Sequence, residues 1–254
     1  MLTRSLLSSA LIMLACSAAV ASEGDVRLYE LRVYYSPEGR LNDLHARFRD
    51  HTIKLFEKHG MTNVGYFVPV ENSANKLVYV LSYPNAEARE KSWKAFMADP
   101  DWAEVRKKTE ANGPIVSKVE SLLMAATDYS PPIAVEAKGH RVFEMRTYTA
   151  TPGNLNHLHA RFRDHTVKLF AKHGIANIAY WSPISGQLGA DNTLVYVLAH
   201  ASADAAKASF DAFRKDPDWI AARKASEEKA GGSLTTEGGV KSEFLAPTDY
   251  SPLQ

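Results

Sequence analysis

One segment of this chain occurs twice, and its recurrence sets the architecture. Leu44–Gly60 reads LHARFRDHTIKLFEKHG and Leu158–Gly174 reads LHARFRDHTVKLFAKHG, with fifteen of seventeen positions identical at an offset of 114. Elsewhere the match is looser: Leu77–Trp93 against Leu194–Phe210 keeps eight of seventeen. A period above 100 residues is too long for a solenoid unit and suits a small domain. The chain is therefore read as two tandem repeats, over 26–125 and 140–254, joined by a short linker at 126–139. Any site it carries can exist in two copies.

The first 21 residues read as an export signal rather than as fold. Arg4 is the basic start, Leu6–Cys16 the apolar stretch, and Ala19-Val20-Ala21 a small-x-small cleavage site. The apolar stretch is too short to span a membrane, which needs roughly 20 residues. The location expected is periplasmic or secreted, with lipidation of Cys16 as the alternative. Cys16 is the only cysteine, so the processed chain would have no disulfide, thiolate nucleophile or thiolate metal site. Losing Arg4 leaves 29 basic against 29 acidic residues, and this balance offers no basic face for nucleic acid or anionic membrane.

Hydropathy alternates with period two in Arg27–Tyr35, which makes it a strand. Pro37 and Gly39 end it, and a long helix follows from about Arg40 to His59, closed by Gly60. Strands are predicted at Asn63–Val68, Lys76–Tyr83 and Lys118–Met124, with helices at Ala86–Met97 and from Pro100 to about Glu110. Asp99 is the N-cap of the last helix and Pro100 its first residue. The order βαββαβ is the ferredoxin-like plan, and the second copy repeats it from Val142 to Leu245. The offset grows around Gly186–Asp191 and again in the Gly-rich stretch Gly231–Gly239, both read as loop insertions. Four strands with helices on one side leave the other sheet face bare, so the two sheets are expected to pack face to face.

A wheel at about 100° per residue puts Leu41, Leu44, Phe48, Leu55 and Phe56 on one arc of the long helix. Asp43, Arg47, Asp50, Lys54, Glu57 and Lys58 fall opposite and read as a solvated face. His45, Thr52 and His59 fall inside the apolar arc, with His51 at its edge. A buried imidazole or hydroxyl without a partner costs about 1–3 kcal/mol, so these groups either lock helix to sheet or line a cavity between them. The cavity reading takes His51 and His165 as catalytic candidates and His45, Thr52, His159 and Thr166 as ligand contacts. Arg32 and Arg146, from the recurring Glu-x-Arg-x-Tyr of the first strand, join as ligand contacts; the competing reading is an inter-sheet polar network. Tyr66 and Trp181 are candidate aromatic walls. No histidine pair has the i,i+4 spacing of a helical zinc site, so no metal and no cofactor are called for. A single axial haem ligand, His51 or His165, is the alternative. Asp99-Pro-Asp-Trp102 and Asp216-Pro-Asp-Trp219 read as capped turns with a packing indole.

Tyr29-Glu-Leu-Arg-Val-Tyr34 and Phe143-Glu-Met-Arg-Thr-Tyr148, the Arg-Phe-Arg-Asp-His-Thr helix, the Asp-Pro-x-Trp turn and the closing Thr-Asp-Tyr-Ser-Pro at 127–131 and 248–252 together resemble a NIPSNAP domain. The resemblance covers nearly all of the chain after the leader. It implies the dimeric α+β barrel superfamily, here with both ferredoxin-like units supplied by one chain and homodimerisation open. That superfamily includes cofactor-independent monooxygenases, haem-dependent enzymes and isomerases, many with the ligand between helices and sheet. Fold analogy does not choose among them.

Three functions follow. The first is binding of a small, partly apolar molecule between helix and sheet, and it is the reading adopted. The second is a monooxygenase- or isomerase-like enzyme with His51 or His165 as general base. The third is a structural or interaction module in which the histidines only stabilise.

Overall fold

The computed structural model describes residues 25–134, 139 and 141–254. The segment read as an export signal, with Cys16, and part of the expected linker lie outside the described residues. The first repeat runs β1 (Leu28–Tyr35), α1 (Leu41–Arg47), a π-helical turn (Phe48–Thr52), α2 (Ile53–Lys58), β2 (Thr62–Pro69), β3 (Lys76–Tyr83), α3 (Ala86–Met97), α4 (Pro100–Thr109) and β4 (Lys118–Ala126). The second runs β5 (Val142–Ala150), α5 (Leu155–Arg161), a π-helical turn (Phe162–Thr166), α6 (Val167–Lys172), β6 (Ala176–Pro183), β7 (Thr193–His200), α7 (Ala203–Lys215), α8 (Pro217–Ala230) and β8 (Thr235–Pro247). Both are ferredoxin-like α+β units.

Each repeat makes a four-stranded antiparallel sheet, β4-β1-β3-β2 and β8-β5-β7-β6. The two sheets enclose a common core, and they are also hydrogen-bonded to each other along both edges. β2 pairs with β8 from Phe67↔Pro247 to Pro69↔Leu245, and β4 pairs with β6 from Met124↔Pro183 to Ala126↔Trp181. The result is a closed eight-stranded antiparallel barrel without a free strand edge. Period two sorts the side chains. Tyr29, Phe67, Phe143, Trp181, Val195 and Leu245 fill the barrel. Tyr66, Tyr79, Tyr180 and Tyr196, on the alternate positions, face the helices outside it.

Each long helix contains a turn that the wheel did not anticipate. The Ile53 amide donates to the Phe48 carbonyl and the Val167 amide to the Phe162 carbonyl, each five residues back. The Thr52 and Thr166 hydroxyls donate to the Arg47 and Arg161 carbonyls, also five back, at 3.1 Å in both copies. A widened turn advances fewer degrees per residue than an α turn, so the buried arc shifts across it. That shift buries Thr52 and Thr166, and it leaves His51 and His165 exposed on the outer face. Arg47, read as part of the solvated face, is 4% exposed, and its counterpart Arg161 is 7% exposed.

One further expectation is corrected. The Gly-rich stretch before Lys241, read as a loop insertion, is largely strand: β8 starts at Thr235. A register shift between Tyr148 and Ala150 of β5 absorbs the extra residues. Gly239 sits where a Cβ would come within 2.9 Å of the Thr149 carbonyl, so the two backbones could not approach with a larger residue.

Candidate functional site

The closing motif of each repeat crosses to the helix of the other. Tyr250 reaches His45, with 2.7 Å between the hydroxyl and Nδ1, and Asp249 takes a bidentate pair of hydrogen bonds from Arg49, each 2.8 Å. In the mirror arrangement the Tyr129 hydroxyl lies 2.8 Å from His159 Nδ1, and Arg163 donates twice to Asp128. Burial, then the neighbouring Arg49 and Arg163, holds both imidazoles below the usual histidine range. His45 and His159 are thus neutral near pH 7 and clamped by the straps. His59 and His173 are held at 2.6 Å by Asp99 and Asp216, whose other oxygens cap α4 and α8.

The Glu-x-Arg-x-Tyr faces point toward the helices rather than into an inter-sheet seam. Glu30 is fully buried and takes bonds from Arg89 (two, each 2.8 Å), Arg32, Ser121 (2.7 Å), Tyr83 (2.9 Å) and the Trp93 indole (3.1 Å). Burial raises its pKa, but the Arg89 hydrogen bonds and the Arg32 charge outweigh it and bring it to about 2. Arg32 lies over Trp93, 4.4 Å from the ring centre. In the second repeat the same positions hold Glu144, Arg146 and Tyr148, but Arg89, Tyr83 and Trp93 are replaced by Ala206, His200 and Phe210. Glu144 is bonded by His200 at 3.1 Å and by Arg146 and Ser242.

A cavity of about 260 Å³ lies between sheet and helices in the second repeat, and of the three changed positions Phe210 lies on its wall. Tyr148, Phe162, Phe170, Phe210, Phe213 and Trp219 supply its aromatic walls, Arg161 and Thr166 its buried polar groups, and Arg146 a half-buried one. Arg214, Arg223 and Glu227 stand around it from α7 and α8, and Ser233, Thr235 and Val240 come from the lengthened β8 approach. Two larger grooves, about 590 and 740 Å³, flank α8, but they are more open and draw on the helix surface. The less open cavity is the stronger site because the buried Arg161 and aromatic walls converge there.

Of the residues singled out in the sequence, Arg146 and Thr166 line this cavity. Arg32 and Thr52 hold the equivalent positions in the first repeat, where Arg32 lies over the Trp93 indole and the Thr52 hydroxyl donates to the Arg47 carbonyl. Tyr66 is a core side chain bonded to Asn63 and stacked on Tyr79, with 5.4 Å between the rings. Trp181 points into the barrel against Tyr29, so it cannot share a wall with Tyr66; adjacent strand positions face opposite ways. His45 and His159 belong to the straps. His165 borders the open groove among Asp164, Lys168 and Lys172, and His51 is exposed on the matching face. Neither presents an enclosed apolar slot for a macrocycle, so the residues present do not fit an axially ligated haem. Among the described residues no group of three or more His, Cys, Asp or Glu is placed to hold a metal ion. Arg161, Phe210 and Trp219 were not singled out as ligand contacts. The departure of the two copies at Trp93/Phe210 could have found Phe210; Arg161 and Trp219 match Arg47 and Trp102 and carry no such signal.

A model of the NIPSNAP family matches residues 29–131 and 143–252. The chain belongs to the NIPSNAP family. Both repeats of this NIPSNAP chain match, and the two matches end on the straps. No curated protein matches the sequence. Solved structures with the same fold include an anthrone oxidase-like protein, 13% identical, covering 91% of this chain and 95% of its own at a TM-score of 0.58. Another is a protein of Fusobacterium nucleatum provisionally named a monooxygenase, 11% identical, covering 87% and 92% at a TM-score of 0.55. An uncharacterised NIPSNAP-like domain protein of Burkholderia xenovorans, 20% identical, spans 43% of this chain and 93% of its own at a TM-score of 0.39.

Proposed function

We propose that this NIPSNAP protein binds a small, partly apolar molecule in the helix–sheet cavity of its second repeat. The supporting observation is the cavity of about 260 Å³ with aromatic walls and the buried Arg161, walled by Phe210 where the first repeat has Trp93. Binding is favoured over histidine catalysis because, among the described residues, no histidine lines the cavity. The apolar leader and the Ala19-Val20-Ala21 site support a periplasmic or secreted location. Among the described residues no helix is long and apolar enough to cross a membrane.

The test is native mass spectrometry of the protein from its own source, combined with a fluorinated-fragment screen by NMR. An adduct or fragment hits that disappear in Phe210→Trp, a variant that rebuilds the first repeat's indole, are the expected result. Ligands that bind Phe210→Trp unchanged, or no ligand by either method, would overturn the reading.

A further inference from the structure

Four arginines and one glutamate stand around the cavity, and their partners differ. Arg146 is committed to Glu144 and bonds the Tyr196 and Tyr148 hydroxyls at 3.0 and 3.2 Å. Arg214 is held by Asp211 at 2.5 Å, and Arg223 by Glu227 at 3.0 Å. Arg161 is different. It is 7% exposed, its nearest carboxylate oxygen, on Glu227, is 3.6 Å away, and its Nε is buried without a partner among the described residues. Its remaining support is the Trp219 ring, 5.4 Å from the guanidinium carbon. Burial pushes its pKa down, and the distant Glu227 does not restore it.

The first repeat shows what a satisfied version looks like. Arg47 also has a buried, unpartnered Nε and lies 5.2 Å from the Trp102 ring. Its Nη1, however, donates to Glu110 at 2.8 Å. The two copies therefore hold the same cation on the same turn and face it with the equivalent carboxylate, Glu110 bonded at 2.8 Å in the first and Glu227 set back to 3.6 Å beside the cavity in the second. A buried cation calls for an anion with hydrogen-bond acceptors.

We infer that the cavity selects a small organic anion of the carboxylate class, with an aromatic or apolar body, that Arg161 is its counter-ion, and that each chain takes one. The inference rests on the cavity reading above. A planar two-oxygen head matches a guanidinium edge, and the ring walls take the body by offset or edge contacts. Glu227 sits close enough to Arg161 to disfavour dianions. The first repeat is excluded because Glu110 already serves Arg47 at 2.8 Å.

The experiment is isothermal titration of the full processed chain with matched probes: benzoate and phenylacetate against benzamide and 2-phenylacetamide. The wild-type comparison needs no variant. We expect each carboxylate to bind at least about tenfold more tightly than its amide, as charge-assisted hydrogen bonding to a desolvated cation implies, with one site per chain. That preference should collapse in Arg161→Gln and persist in Arg47→Gln. Equal affinity for acid and amide, a preference that survives Arg161→Gln, or two sites per chain would overturn the inference. If acid and amide bind equally and both are lost in Phe210→Trp, the cavity reading stands and the anion inference falls. If no probe binds, both fall.

Discussion

Replacing Arg161 by methionine should stabilise the protein, whereas the same change at Arg47 should destabilise it. Burying an ion costs several kcal/mol, and only a close, well-bonded partner offsets that cost. Arg161 lacks one: the nearest carboxylate oxygen is 3.6 Å away and the aromatic contact is 5.4 Å. The cation–π contact is worth about 0.5–2 kcal/mol, and a methionine sulfur over the same indole recovers about 0.3–1.5 kcal/mol. Glu227 keeps its 3.0 Å bond from Arg223 and is not orphaned. Arg161→Met should therefore gain about 1 kcal/mol, about 2–4 °C in Tm for a chain of this size. Arg47→Met removes a charge-assisted bond at 2.8 Å, worth about 1.5–3 kcal/mol, partly offset by the relief of burial. Its expected loss is about 1 kcal/mol. Urea denaturation followed by circular dichroism reads both, with the slope m checked for constancy. If Arg161→Met loses as much as Arg47→Met, the 3.6 Å carboxylate compensates the guanidinium in full, and the contrast between the copies fails.

Further outcomes concern the scaffold. Tyr250→Phe and Tyr129→Phe each remove one hydroxyl–imidazole bond across the repeats and should cost about 1 kcal/mol apiece; urea midpoints that do not move would show the straps to be slack. Glu30 has a folded pKa of about 2 against an ordinary 4.5. Its depressed value stabilises the fold by about 3 kcal/mol above pH 4.5, and this contribution fades as pH falls toward 2. Arg89→Met should move that loss to higher pH in urea melts taken across the acid range, and an unchanged pH profile would refute it. Thr52→Val and Thr166→Val delete the hydroxyl that bridges each π turn, at about 1 kcal/mol each; a thermal-melt loss at only one of the two sites would show that the hydroxyl does not hold the turn.

The barrel was legible because its signals are local and repeated. Alternation in β1 separated Tyr29, Leu31 and Val33, which face the barrel, from Glu30, Arg32 and Tyr34, which face the helices. The duplicated helix gave the count of units. The site was less legible because a wheel assumes one turn geometry throughout. Five residues of wider turn in each copy moved His51 and His165 outward and carried the misreading of Arg47 as a solvated residue. Trp181 was misplaced for a different reason: an aromatic in a strand reveals its hydrophobicity but not which of two buried faces it occupies. One wall of the cavity, Phe210, stands where the first copy has Trp93, and a reading built on what the copies share passes over such a difference.

The reciprocal straps have a consequence for how this protein can change. Two identical chains assembled the same way would be bound to equality: a mutation that opened one half would open the other. Here each half locks the other through Tyr129 and Tyr250, yet each is encoded separately. One copy is thereby free to become ballast, with Trp93, Arg89 and Glu30 fused into a rigid polar knot. The other, with Phe210 and Ala206 at the matching positions, can change independently of that knot.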